Sequence, residues 1–595
     1  MTRQAMRAAL GRAVAVALCA VLTACGGGGG GDGNQANNGN NANNGAVPTN
    51  NSGTDTTSGT GTGTSTGTNG SSGSGSGSTS TSTSTQNPEA TGSWSVTKLG
   101  IHTDMLFPGN TYQPIGGEYP YALWLGPDGA GGEALYRADA ADTLLGTQTL
   151  QPALPQQAAS NRSIAVTAGA WSMTVWAESE TWQASTGVGP GLYVRVKGPN
   201  TDTGAVRVSD SGRVDPSATL PVIDASGHAR LIWDDDLNSV NFRFGRNVLL
   251  SGSQWVEQKD LGIQVALYYR RLLMAPNGEG WLVLPQFVAG EPGANGRYEH
   301  RAYPLTAANG LGTPLRLEQT GSLWASAYGM VLASADGNNL VNMTMATQQA
   351  SADGTTQCVL VGRVVGGALA STTCIPTSGD AVPNHQFMSL STAAGGQGLL
   401  VWSTGSGPAA LYASRRNAAG VWNAPVKLAD LPSTSEWNAL TGLRTAMGPQ
   451  GQALVVWRVR PDGGIGQVHA RTAVDGGAWS PDATLVQTSP TPVESMDVAV
   501  AFNNRGVPGV LQLTISGTAA TGGSHWAIVM SSWFDGQWVT RPVVNDIQPA
   551  YINGVPLSLM RLAPSMTGGW LALWNQGLGT SDTTGYRELW AGIFH

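Results

Sequence analysis

The sequence predicts an all-β propeller, because one pattern of short strands recurs, its tryptophans are evenly spaced and its charges are few. Charged residues make up 12 % of the 595, about half the ~25 % of an ordinary soluble protein. Helical bundles need Glu, Lys and Arg on their wet faces, so this composition points away from them. Gly is 82, and twenty Trp stand against eight Phe. The formal charge of −7 argues against a nucleic-acid partner, which needs a basic stripe.

Residues 1–24 read as an export signal. Arg3, Arg7 and Arg12 precede an apolar run from Ala13 to Leu22, too short to span a bilayer and of signal-peptide length. The run ends in Leu22-Thr23-Ala24-Cys25, which resembles the bacterial lipobox. That resemblance implies cleavage before Cys25 and acylation of its thiol and new amine. More than one acyl chain makes anchoring stable, at about 0.8 kcal/mol per buried CH₂. Gly26 rather than Asp follows the Cys, and in a Gram-negative source this sorting pattern implies the outer membrane. A lipid-anchored position in the cell envelope, facing the periplasm or the cell surface, is therefore expected.

Residues 25–91 form the next segment. Beyond Cys25 it is mostly Gly, Asn, Ser and Thr, with Asp32, Asp55 and Glu89 as its charges. Such a chain cannot bury enough apolar surface to offset the entropy of ordering, so a disordered tether is expected. A coil of this length has an end-to-end distance of about 45 Å.

Residues 92–595 carry the repeat. A hydrophobic strand with Trp is followed by a polar loop, a Leu-Tyr-Ala-Arg strand, a Gly-x-Trp turn and a short final strand. One copy runs Leu400-Val401-Trp402, Leu411-Tyr412-Ala413-Ser414-Arg415, Gly420-Val421-Trp422, Val426-Lys427-Leu428. Second-strand positions fall near Trp124, Trp176, Trp233, Leu284, Met343, Trp402, Trp457, Leu511 and Trp574, about 56 residues apart. Four strands at this spacing suit propeller blades. The Trp side chains are expected to pack between neighbouring blades. The count is nine units, or eight if two weak ones merge, with the Trp-less unit at Met343 the weakest. The last unit stops without its Gly-x-Trp strand, while Gly92-Ser93-Trp94 through Lys98-Leu99 supplies one at the other end. The prediction is a propeller of eight or nine four-stranded blades, its ring closed by the N-terminal strand. A monomer is expected.

Cys358 and Cys374 flank a hairpin turning at Gly366-Gly367, where a three-residue loop centred on Gly366 would set them opposite each other. An exported location favours a disulfide. With no neighbouring His pair, a zinc site is not expected, nor is a cofactor.

The repeat resembles the sialidase-type, Trp-rich propellers of bacterial surface lipoproteins. The matching Asp-box turns are incomplete: Gly476-Gly477-Ala478-Trp479 and Asp535-Gly536-Gln537-Trp538 keep only turn and Trp. No catalytic residue is carried over, so the resemblance implies a non-catalytic relative. Charged loops between second and third strands are the candidate ligand face: Glu178, Glu180 and Trp182; Asp234 and Asp236; Arg458 and Arg460. The acidic run Asp234-Asp235-Asp236 could hold Ca²⁺, although a solvated loop is expected and no metal ligand is assigned. Three functions remain open. A binding or scaffold propeller, with a glycan or envelope protein as partner, is the first. A carbohydrate-binding lectin and a glycan-active hydrolase are the alternatives. Cys25→Ser should move the protein from the membrane into the soluble fraction, and fractionation with detergent will show whether it does.

Overall fold

A computed structural model describes most of residues 92–594. The export signal, Cys25 and the tether lie outside the described residues. Every element of the described chain is a strand, a turn or an irregular link, and the architecture is a β-propeller.

The sixth unit shows the blade at its clearest, as Pro383–Thr392, Gly398–Thr404, Ala410–Arg416 and Val426–Asp430, paired in that order. All its pairings are antiparallel. The innermost strands meet in sequence: Val331–Asp336 touches Pro383–Thr392, which touches Leu440–Met447, which touches Val493–Phe502, which touches Arg561–Pro564. The eight or nine four-stranded blades expected are corrected to seven, the number of sheets of four or more strands among the described residues. Two local causes account for the difference. The first unit pairs only Tyr121–Pro127, Glu133–Asp139 and Gln148–Leu154 among the described residues. The third and fourth units join into one nine-stranded sheet through the single pair Val265↔Gln286.

Each second strand is apolar on both faces because each blade is packed on both sides. In Gly398–Thr404, Leu399 and Val401 pack towards the seventh unit, with Met447, Val455 and Trp457. Leu400 and Trp402 pack towards the fifth, with Ala346, Val359 and Val361. Trp124, Trp176, Trp233, Trp402, Trp457 and Trp574 are all essentially excluded from solvent. Burying about 200 Å² of Trp surface is worth about 5 kcal/mol on an area scale.

The Tyr of the third strand has a defined partner. Trp124 stands directly opposite Tyr136, Trp176 opposite Tyr193, and Trp402 opposite Tyr412, each pair stacked with centroids 5.7 to 6.1 Å apart. The Arg residues that end this strand reach across blade boundaries. Arg416 donates from Nε to the Gly396 carbonyl and from Nη1 to Thr344 Oγ1 of the fifth unit. Arg415 donates to the carbonyls of Val474 and Gly477 in the seventh.

One turn recurs between first and second strands. In Asp224–His228, Ala393–Gln397, Gly448–Gln452, Asn503–Val507 and Ser565–Gly569 the first N–H donates to the fifth carbonyl, and the fourth N–H to the first carbonyl. The fourth residue is always Gly, with φ between 78° and 88°, a conformation that a Cβ disfavours. Asp224 and Asn503 also accept backbone N–H groups of their own turns on Oδ1.

Trp94–Thr103 closes the ring. It runs antiparallel to Tyr586–Phe594, from Trp94↔Phe594 to Thr103↔Tyr586, as the fourth strand of the last blade. Leu99 is buried, Trp94 contacts the Phe594 ring, and Lys98 pairs with Glu588 at 2.5 Å. Trp94 thus begins at the end of the blade where the Ser565–Gly569 turn approaches Phe594.

Cys358 and Cys374 form a disulfide with Cα atoms 5.5 Å apart. The hairpin differs from the one expected: Gly366 and Gly367, both at positive φ, form a two-residue turn between Val365 and Ala368. A bulge between Arg363 and Val364 shifts the register, so Cys374 faces Leu360 and Cys358 faces Pro376. The cysteines therefore bridge diagonally rather than directly opposite.

Deleting residues through Glu89 should leave the thermal melt unchanged. Deletion through Gly100 should cost about 3–5 kcal/mol, the range for losing one packed Trp. Equal melts for the two truncations would show that the closing strand contributes nothing.

Candidate functional site

Charged side chains are rare on the inner strands, and three of the exceptions meet. Arg444 lies on Leu440–Met447, Asp497 on Val493–Phe502 and Arg561 on Arg561–Pro564, in three successive units. The two arginines occupy equivalent positions: Arg444 faces Val456, one residue before Trp457, and Arg561 faces Leu573, one residue before Trp574. Each donates from Nη1 to the carbonyl of its preceding residue, Leu443 or Met560, at 3.1 Å. Bulges between Thr441 and Arg444, and between Ser495 and Asp497, interrupt their strands. Such irregularities re-aim side chains without breaking the sheet.

The neighbouring inner strands explain the arrangement. Ser334 hydrogen-bonds Thr392 across one blade boundary, and Ser389 and Ser391 both reach Thr445 across the next. Between the seventh and eighth units a charge pair replaces the hydroxyls. Arg444 Nη2 stands 3.9 Å from Asp497 Oδ1, too long for a direct hydrogen bond. The hydrogen bond Asp497 does accept comes from the Val498 N–H at 2.8 Å.

Asp497 lies in a recess. Protein surrounds its carboxyl on most sides, yet 37 % of the side chain remains open to solvent. Burial raises its pKa above the ordinary 3.8; Arg444, then the Val498 N–H, Arg561 and Arg458, oppose that shift.

Of the residues expected to face a ligand, Arg458 joins this cluster. It stands one residue before the end of the second strand Ala453–Val459, opposite Thr441, and its guanidinium lies against Gly466, where a Cβ would come within 2.6 Å of Nη2. Glu178 closes Trp171–Glu178, and Asp234 lies in Ala229–Asp235 opposite Gly245. Both thus stand at the corresponding end of their second strands, but their side chains are outside the described residues. Glu180, Trp182, Asp236 and Arg460 also lie outside them. No metal-binding cluster occurs among the described residues.

Asp497, Arg444 and Arg561 were missed as site residues. Their signal was available: charged residues on inner strands otherwise built mostly of small and apolar residues. What one sequence could not supply was the register that brings three units together.

No protein family matches the sequence, and no curated protein matches it. Among solved structures, the chain is similar in plan to a polysaccharide lyase of the ulvan-lyase type, at 10 % identity over 71 % of this chain and 90 % of that one, TM-score 0.33. Polysaccharide lyase Uly1 gives 10 % identity over 73 % and 98 %, TM-score 0.35. A Penicillium chrysogenum α-L-arabinanase complexed with arabinobiose gives 13 % over 54 % and 92 %, TM-score 0.26. No residue, substrate or reaction passes from them to this chain.

The raised pKa gives a pH signature. Native Asp497 holds its proton more tightly than the unfolded chain, which titrates near 3.8. Its contribution to stability therefore declines as pH rises from that value through the raised one. Asp497→Asn should flatten this part of a denaturation-versus-pH curve, and Arg444→Gln should move the Asp497 titration higher. An unchanged slope in Asp497→Asn would show that the carboxyl titrates normally.

Proposed function

We propose that the protein is an exported, lipid-anchored binding propeller of the cell envelope, and that its ligand is anionic: an acidic glycan or another acidic envelope polymer. The supporting observation is that three guanidiniums, Arg444, Arg458 and Arg561, act on one carboxylate, Asp497, in an open recess. Guanidinium groups bind carboxylate and sulfate through paired, charge-assisted hydrogen bonds. The chain as a whole carries a formal charge of −7, so attraction would arise from this local patch rather than from the overall field.

Glycan hydrolysis would require a second carboxyl about 5–9.5 Å from the first. Among the described residues, the groups acting on Asp497 are guanidiniums and a backbone N–H. Binding is accordingly the function favoured here.

The mature protein should retain polygalacturonate more strongly than dextran, with retention falling as salt rises. Arg444→Ala and Arg561→Ala should each weaken it about tenfold, the scale of one charged hydrogen bond. Equal retention of the neutral polymer, with both variants unaffected, would exclude an anion site at this recess.

A further inference from the structure

We infer that Asp497 is a built-in substitute for the ligand's anionic group: an incoming carboxylate or sulfate takes its place among the guanidiniums, and Asp497 yields by accepting one proton. This rests on the anion-binding function proposed above and adds both a specificity-determining residue and a proton to it.

The geometry supports exchange. Arg444 and Asp497 attract across 3.9 Å without a direct hydrogen bond between them. The carboxyl is open enough for a ligand to reach, and its hydrogen bond from Val498 comes from its own strand rather than from an arginine. Arg444 and Arg561 bracket it from equivalent positions on the preceding and following inner strands. Two anions in one recess repel, and the one that can become neutral does so. Burial already favours the protonated form of Asp497.

Among the described residues, the charged groups that act on Asp497 are three arginines. Arg444 faces it from the preceding inner strand, Arg458 from the strand beside that one, and Arg561 from the following inner strand. The strand Pro508–Ser516, which pairs with it through Leu513, carries no titratable residue. Glu494 shares its own strand, with a side chain outside the described residues. The balance is one anion bound and one proton taken from solvent, leaving Asp497 as a neutral acid beside the bound anion.

Calorimetry on the detergent-solubilised mature protein tests this with sodium sulfate and sodium galacturonate. Sulfate stays fully ionised from about pH 5 to about pH 8, so proton uptake on binding it must come from the protein. The expected result is a heat that depends on the ionisation enthalpy of the buffer, reporting up to about one proton per anion. Affinity should weaken by up to about tenfold per pH unit above the Asp497 pKa. Asp497→Asn, checked for folding by its near-ultraviolet Trp signal, should bind more tightly at about pH 8 and lose the pH dependence. Anion binding with no buffer dependence and a flat pH profile would overturn the exchange while leaving the anion site intact. So would an unchanged pH profile in Asp497→Asn. No binding of either anion would overturn both proposals. If Asp497→Asn does not fold, buffer dependence in the unsubstituted protein decides the question.

Discussion

The antiparallel pairing of Trp94–Thr103 with Tyr586–Phe594 is the contact on which the ring depends. A blade in a closed ring has a neighbour on each side, so both faces of its sheet can be apolar. Without closure, the last blade would show an open edge of unpaired backbone groups. Its layer of Trp570, Trp574 and Phe594, with Trp94 and Val96 against it, would also lose part of its cover. The N-terminal strand serves both the hydrogen-bonding and the packing requirement.

Much of this plan was legible in the sequence because a propeller repeats its physics. A Trp buried between sheets and a Tyr stacked directly opposite it must recur in each unit that uses them, as at Trp124, Trp176 and Trp402. Closure was legible because a Gly-x-Trp segment was missing at one end and present at the other. Blade number was not. The three strands that the first unit's sheet has among the described residues, and the pair joining the third and fourth units, Val265↔Gln286, are details of local pairing, which Trp spacing does not encode. The recurring turn was also overlooked, although its Gly at the fourth position is plain in Asp224–His228 and Asn503–Val507. The disulfide was legible from the spacing of the two cysteines and the expected compartment. Its diagonal geometry was not, because one bulge near Arg363 changed the register.

The candidate site was less legible for a related reason. Loops between second and third strands drew attention because they concentrate charge, and Arg458 does stand beside the recess. The groups that accompany it lie on inner strands, where Asp497 alternates with Ala499 and Ala501 and looks like part of a packed face. Only the ring brings positions from residues 444, 497 and 561 to one place. Convergence of this kind comes from stacking successive units, and composition cannot register it.

The direction of the closing strand has a mechanical consequence. Its first residue, Trp94, pairs at the Phe594 end, whereas Thr103 pairs at the Tyr586 end. Arg561 opens its inner strand opposite Leu573, level with Ala591 and on the Tyr586 side of the Ser565–Gly569 turn. A pull on the chain before Gly92, directed away from the Tyr586 end with the last blade held, runs along the strand axis. Ladder hydrogen bonds lie across that axis, so the whole pairing from Trp94 to Thr103 shares the load at once. The blade is loaded in shear, and its bonds do not open one after another from an end.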